Sequence, residues 1–369
     1  MRPPTVLFDT SCLRDARRDA GIGRYAAQLL TALRRRDDIQ VVAPLLGGAP
    51  RSEARPYRWL RSQPALAREA VRHRPDVVHA PSGEPAIGIG GDRQVVTVHD
   101  VEMWRGDGPP GLRGAALRLH RTAVAARLRR CAAVIAISRV TAEEACAMLD
   151  LDPRRIHVIP HGVGAVFDIA QSAGDSAHLA AAGVARGEYV IWVGSLRHHD
   201  PRKGLDLLLE AMARLGAGAP PLLLVGATGP ESERVVAEAR RRGVAARAAG
   251  RQSDVALAAL YRGALLCVIP SRHEGFGLPM LEAFASGTPV VATDAGNLPD
   301  LSGGAARTVR SGDAIGFAAA VGELLAHPQR RAAMRAAGVE RAARFSWDRC
   351  AEETAAVYAT VAAGAPRRR

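Results

Sequence analysis

Two carboxylates bracket a glycine-rich turn in Glu274-Gly275-Phe276-Gly277-Leu278-Pro279-Met280-Leu281-Glu282. Pro279 suits the first helical position and Gly287 the position just past the end, so the spacing predicts a short helix over 278–286. Gly275 and Gly277 let the backbone come close to a ligand, and the helix N-terminus offers unpaired N–H groups to an anion. Glu274 lies in the loop ahead of the helix. Glu282 lies one turn inside, its side chain tilting back toward the N-terminus. Two acceptor-only carboxylates around an anion cradle suit a hydroxyl-rich ligand that carries a phosphate. A glycine-rich entry to a surface helix is the plainer alternative, and the paired carboxylates weigh against it.

A second constellation is Val193-Gly194-Ser195-Leu196-Arg197-His198-His199-Asp200-Pro201-Arg202-Lys203-Gly204. Arg197, Arg202 and Lys203 can neutralise a diphosphate there. Lys203 stands out because it is the single lysine among 50 basic residues. A chain that writes arginine everywhere else points to a need for a compact ammonium here, unless the lysine is a coding accident. His198 and His199 are adjacent, which seldom lets two ligands share an ion, and no third ligand has suitable spacing, so no metal site is expected. Gly21-Ile22-Gly23-Arg24-Tyr25 reads as a loop between the first strand and first helix, a weak phosphate signal alone. His99-Asp100 follows a strand, at the edge where ligands bind. Asp150-Leu151-Asp152 has the spacing of a metal pair but sits between a helix and Pro153, and reads as a turn.

These residues need a scaffold. Strand-like runs alternate with helical ones along all 369 residues, the signature of an α/β chain with parallel sheets. Strands are expected at 5–8, 40–43, 76–79, 95–98, 133–137 and 156–159, then at 189–193, 222–225, 264–269 and 289–292. Helices are expected at 24–36, 65–74, 112–130 and 141–149, then at 205–215, 231–242, 255–262 and 278–286, with almost continuous helix after Gly312. The domains expected are 1–165, a linker at 166–187, and 188–369, with the last helix packing back on the first domain. Two Rossmann-like domains then face each other across a cleft, with ligand at the carboxyl ends of the strands.

Composition narrows the class. Apolar residues make up 48% and charged residues 24%, as in an ordinary globular protein, and no run approaches the ~18 residues of a membrane span. Five cysteines without C-x-x-C spacing read as reduced thiols. No secretory signal is read, so a cytoplasmic location is expected, with peripheral attachment to the inner face of the plasma membrane as the second option. The net charge of +13 calls for an anionic partner. The excess is spread over both halves without aromatic interleaving, which argues against nucleic acid.

Together the motifs resemble the retaining glycosyltransferase family 4, the group 1 glycosyltransferases of GT-B fold. The resemblance runs through Gly-Ile-Gly-Arg-Tyr, His99-Asp100, Ala136-Ile137-Ser138, Ile159-Pro160-His161-Gly162-Val163, Pro201-Arg202-Lys203-Gly204, the E-x7-E element, and Ser286-Gly287-Thr288-Pro289-Val290-Val291-Ala292. It implies that Glu274 binds sugar hydroxyls and Glu282 the ribose of a nucleotide diphosphate sugar. Gly275, Phe276, Gly277 and Leu278 then line the donor, and Lys203 with an arginine holds the diphosphate. Many members carry that arginine directly after the glycine ending the first strand, where this chain has Ser195. Arg202 is taken for the role, with Arg197 as its rival. Gly23 lies beside the phosphates and acceptor, and His99 near the transferring sugar. The family also implies retention of anomeric configuration by front-face attack with the departing phosphate as base, and no cofactor beyond the donor substrate.

The expected function is metal-independent transfer of a hexose to a glycan, lipid-linked or small-molecule acceptor. The Gly-Ile-Gly-Arg-Tyr subgroup inclines the donor to GDP-mannose. A GT-B sugar-nucleotide epimerase or phosphorylase is the alternative enzyme. A basic membrane-surface module is the non-enzymatic one, resting on Arg113, Arg118, Arg121, Arg127, Arg129 and Arg130 beside Leu112, Leu117, Leu119 and Leu128 on one predicted helix.

Overall fold

The computed structural model describes residues 2–14, 21–44, 46, 55–106 and 111–364. It divides into two units, Met1–Gly162 with Ser346–Arg369, and Val163–Phe345. Each is built on a six-stranded parallel sheet.

The first unit contains β1 (Thr5–Phe8), α1 (Gly21–Leu33), β2 (Gln40–Val42), α2 (Arg55–His73), β3 (Val77–Ala80), β4 (Gln94–Val98), α3 (Gly111–Leu128), β5 (Ala133–Ala136), α4 (Arg139–Leu149) and β6 (Ile156–Val158). In the second unit follow α5 (Asp175–Ala181), β7 (Val190–Val193), α6 (Leu205–Arg214), β8 (Leu222–Val225), α7 (Pro230–Arg241), β9 (Ala246–Gly250), α8 (Asp254–Gly263), β10 (Leu266–Ile269), α9 (Leu278–Ala285), β11 (Val290–Thr293), α10 (Leu298–Ser302), β12 (Arg307–Val309), α11 (Ala314–Ala326) and α12 (Pro328–Ala342). The final helix, α13 (Trp347–Gly364), returns to the first unit.

Strands β1, β3, β4 and β5 are buried along their whole length, as continuous apolar runs covered on both faces must be. The final helix buries Trp347, Cys350, Ala351, Ala355, Tyr358 and Val361 against α1 and the sheet, at the three- and four-residue spacing of one helix face.

The second sheet runs β12-β11-β10-β7-β8-β9, the doubly wound order in which strand sequence reverses between β7 and β10. Ligands bind outside the carboxyl ends of the two strands at such a switch point. The loop leaving β7 carries Arg197 to Lys203, and the loop leaving β10 carries Glu274 to Gly277. The first sheet runs β2-β1-β3-β4-β5-β6 and reverses between β1 and β3.

Four sequence readings need correction. The stretch 166–187 is not a bare linker, because α5 lies inside it. Its Asp175 is buried against Arg262 at 2.7 Å, and Leu179 packs inward. Gly21 to Tyr25 form the start of α1 rather than a loop. The second helix begins at Arg55, ten residues ahead of the start expected at 65, and carries Pro64 inside it. β9, whose sequence is Ala-Arg-Ala-Ala-Gly, and β12 were missed because alanine and glycine carry little strand signal and β12 is only three residues long.

Candidate functional site

Lys203 is held by its own turn. Asp200 caps a single 3-10 turn over Pro201–Lys203, and Gly204 ends it at φ +64°. A Cβ on Gly204 would lie 1.9 Å from the Pro270 carbonyl oxygen, so this turn sits directly against the end of β10. The Arg272 N–H donates to the Arg202 carbonyl at 2.6 Å and joins the two loops. Lys203 Nζ then reaches Glu274 Oε1 at 2.7 Å, and Ser271 Oγ donates to the same oxygen at 2.9 Å. The lysine side chain is 28% exposed and the glutamate 14%, so the pair is half-buried with one side toward solvent.

The loop around Glu274 is built as tightly. Gly277 has φ +102°, and the Leu298 and Leu301 methyls occupy the space a Cβ would need. It caps α9, with Leu278 the first helical residue. Phe276 is buried edge-on to Phe345 at 6.4 Å, and Gly275 is half-buried. Ser271 and Asn297, which secure this loop, carried no sequence signal that distinguished them from turn residues.

Glu282 has a described partner of its own. It is buried in α9, where Oε2 accepts from the Tyr261 hydroxyl at 3.4 Å. The Cys267 thiol nearby is pushed up by burial and by the Glu282 charge.

The two candidate arginines differ sharply. Arg202 forks onto Asp200, with Nε and Nη2 at 2.9 and 2.8 Å from the two carboxylate oxygens. Burial alone would push the Asp200 carboxyl up, but the hydrogen bonds and charge of Arg202 outweigh it and hold it low. Arg197 is exposed, and among the described residues its guanidinium has no hydrogen-bond or ion-pair partner. Its loop is nonetheless fixed. Leu196 bridges to Thr228, Gly229 approaches so closely that a Cβ would lie 2.6 Å from the Arg197 carbonyl oxygen, and His199 Nδ1 meets the buried Glu231 at 3.1 Å.

In the first unit His99 is half-buried at the end of β4. Its Nε2 lies 2.8 Å from the Pro81 carbonyl, an acceptor only, so Nε2 carries a proton and donates. Tyr25 meets the ring edge-on at 4.8 Å, and His161 lies 5.7 Å away. His161 is stacked between Tyr25 and Trp347, and burial followed by the proximity of His99 holds it well below the usual histidine range. A Cβ on Gly162 would lie 2.1 Å from the Trp347 nitrogen, so that glycine admits the start of α13. Behind these rings runs a buried chain. The Tyr358 hydroxyl meets His79 Nδ1 at 2.5 Å, His79 Nε2 meets Thr97 Oγ1 at 2.9 Å, and Thr97 meets the Tyr25 hydroxyl at 2.9 Å. Gly23 is buried in the first turn of α1.

Two other features resolve. Asp150 is the left-handed C-cap of α4 and Asp152 caps the next turn, so both serve chain geometry. On α3, Leu112 and Leu119 are exposed, but Leu128 is buried. Arg121, Arg127 and Arg129 donate to the carbonyls of Gly106, Ala86 and Leu149. Half of the proposed basic surface is therefore engaged within the unit. Among the described residues no helix is long and apolar enough to cross a membrane.

Residues 20–165 match the family model described as Glycosyltransferase Family 4, and residues 187–327 the one described as Glycosyl transferases group 1. A D-inositol 3-phosphate glycosyltransferase of Segniliparus rotundus is 37% identical over 238 residues, covering 61% of this chain and 51% of that protein. An MMP alpha-(1->4)-mannosyltransferase of Mycolicibacterium hassiacum is 34% identical over 232 residues, covering 61% and 53%. The chain thus spans about half the length of the curated relatives it matches. The sucrose-phosphate synthase structure from Thermosynechococcus elongatus superposes with a TM-score of 0.76 at 22% identity, covering 99% of this chain and 100% of that one. At that identity the match speaks for the fold.

Proposed function

The chain belongs to the group 1 and family 4 glycosyltransferases and has their GT-B fold, and from that premise we propose that it transfers a hexose from a nucleotide diphosphate sugar to an acceptor hydroxyl. The observation that carries this reading is the 2.7 Å contact between Lys203 and Glu274 at the β7–β10 switch point. A cation for the diphosphate and a carboxylate for the sugar hydroxyls meet there at neighbouring strand ends.

Loss of a nucleotide diphosphate develops negative charge on the leaving phosphate. Preorganised cations stabilise that charge without reorganising as it forms. Lys203 supplies one, and in this reading Arg197 takes the place of Arg202 as the other. Arg202 is committed to Asp200, whereas Arg197 is exposed on a loop fixed from three sides. The amides of Gly277 and Leu278 at the start of α9 add backbone donors. Glu274 accepts hydrogen bonds from sugar hydroxyls, and Glu282 reaches the ribose if its side chain turns from Tyr261. Within the first unit Gly23 and His99 are assigned to the acceptor and the transferring sugar. Retention of configuration, with the leaving phosphate as base, needs no protein nucleophile, and none is assigned.

The mannosyltransferase among the relatives supports mannose as the transferred sugar, which fits the GDP-mannose expected from the Gly-Ile-Gly-Arg-Tyr subgroup, and the inositol phosphate enzyme supports a small polyol phosphate as an acceptor class. Nucleotide release from GDP-mannose, UDP-glucose and UDP-N-acetylglucosamine, with and without inositol phosphate or sugar phosphate acceptors, tests this. Acceptor-dependent release is the expected result. Donor isomerisation or phosphorolysis without transfer would replace the reading with the epimerase or phosphorylase alternative.

A further inference from the structure

Asn297 stands at the N-cap of α10, where an asparagine ordinarily turns its side chain onto its own helix and accepts from a free backbone N–H. Here it makes no such bond. Its side-chain amide donates across to the Phe276 carbonyl at 3.0 Å, and its backbone N–H donates to the Glu274 carbonyl at 2.9 Å. The residue is buried at 5% exposure. One residue therefore holds the carbonyls on both sides of Gly275.

The residue before it reinforces the contact. Gly296 has φ +55°, and a Cβ there would lie 2.3 Å from the Glu274 carbonyl oxygen and 2.8 Å from its nitrogen. Leu298 and Leu301 pack where a Gly277 side chain would be. The end of β11 grips the other side of the loop, because Thr293 Oγ1 donates to the Ser271 carbonyl and Ser271 Oγ donates to Glu274. The segment from Thr293 to Leu301 is thus a mould for the loop that carries Glu274 and leads into α9.

We propose that Asn297 is a positioning residue for transfer, fixing the peptide groups around Gly275 so that the Glu274 carboxylate meets the donor sugar in register. This rests on the reading of Glu274 as the sugar-binding carboxylate. Among the described residues Asn297 makes no hydrogen bond to the Lys203 turn, so it acts on how the sugar is held and reaches the nucleotide diphosphate only through Glu274.

The test uses Asn297→Asp, which keeps the shape but puts an acceptor against the Phe276 carbonyl, and Asn297→Ser, which is small and retains a donor. Steady-state transfer is measured beside the affinities of free GDP and UDP, with Glu274→Ala as reference. Misplacement by about 1 Å costs on the order of 10²-fold in rate, so kcat for Asn297→Asp should fall by about that factor. Free GDP and UDP should bind no more weakly than to the parent, because a displaced Glu274 competes less for Lys203, and Asn297→Ser should recover part of the rate. Parental kcat in Asn297→Asp, with Glu274→Ala inactive, overturns the proposal and leaves the reading of Glu274 standing. Equal loss of free nucleotide affinity and of rate makes Asn297 merely structural and also overturns it. Parental turnover in Glu274→Ala removes the reading on which the proposal rests.

Discussion

Replacing Glu274 by glutamine should tighten the binding of free GDP or UDP while it slows transfer. In the parent the Lys203 ammonium is already bound to Glu274 Oε1 at 2.7 Å, so a diphosphate must draw it away. Exposed ion pairs are worth about 0.2–1 kcal/mol, and breaking a fully buried one costs about 3–5. With side chains 28% and 14% exposed, this pair falls between, at about 1–2 kcal/mol. Relief of that competition should raise affinity about 5–30-fold in Glu274→Gln. A hydrogen bond to a charged group contributes about 1.5–3 kcal/mol, so Lys203→Ala should cost only about 1 kcal/mol in the parent, where the pair offsets it. In the Glu274→Gln background the same change should cost the full amount, roughly 10–150-fold. Titration calorimetry of the four proteins closes the double-mutant cycle, and nucleotide release gives kcat for each. Weaker nucleotide binding in Glu274→Gln, or an equal cost of Lys203→Ala in both backgrounds, would refute the exchange. The ammonium would then serve carboxylate and phosphate at once.

Arg197→Ala should weaken free nucleotide binding by at least about tenfold through loss of a charge-assisted contact, while Arg202→Ala should act on thermal stability by stranding Asp200. The reverse pattern in calorimetry and thermal unfolding returns the diphosphate to Arg202. His79 is held at about 3, chiefly by burial and secondarily by His99, against an ordinary 6.5. Between those values the unfolded chain binds more protons than the folded one. The contribution is therefore intact above pH 6.5 and lost as pH falls toward 3, by about 2 kcal/mol at pH 5. Urea unfolding of the parent and His79→Gln at pH 7 and pH 5 checks this, and an identical pH dependence in both would exclude His79 as its source.

How much of this was legible in the sequence depended on which interactions were local. The apolar runs at Val77, Val95 and Val290 announced buried parallel strands, and Glu274 to Glu282 announced a turn entering a helix. The choice between Arg197 and Arg202 was hidden, because it turns on where one guanidinium points and on its bond to Asp200. Asn297 was hidden for a related reason. Gly296-Asn297 reads as any turn until the 274–276 loop, distant in sequence, is seen against it. The helix α5 lacked a clear apolar period because a buried ion pair, Asp175 with Arg262, does what an apolar stripe does elsewhere.

The path of the chain has a consequence for its synthesis. Residues 163–345 interrupt the first unit, whose core is completed by Trp347, Tyr358 and Val361. At ~5–20 residues per second, the ~180 intervening residues delay that completion by roughly 10–35 s after Gly162 is made. During that interval the faces of β3, β5 and α1 that later meet α13 have no native cover. The inserted unit can meanwhile finish its own sheet on the ribosome. The unit begun earlier closes later, so a nascent chain stalled before residue 347 would carry a complete second unit and, in the first, an apolar face for chaperones to hold.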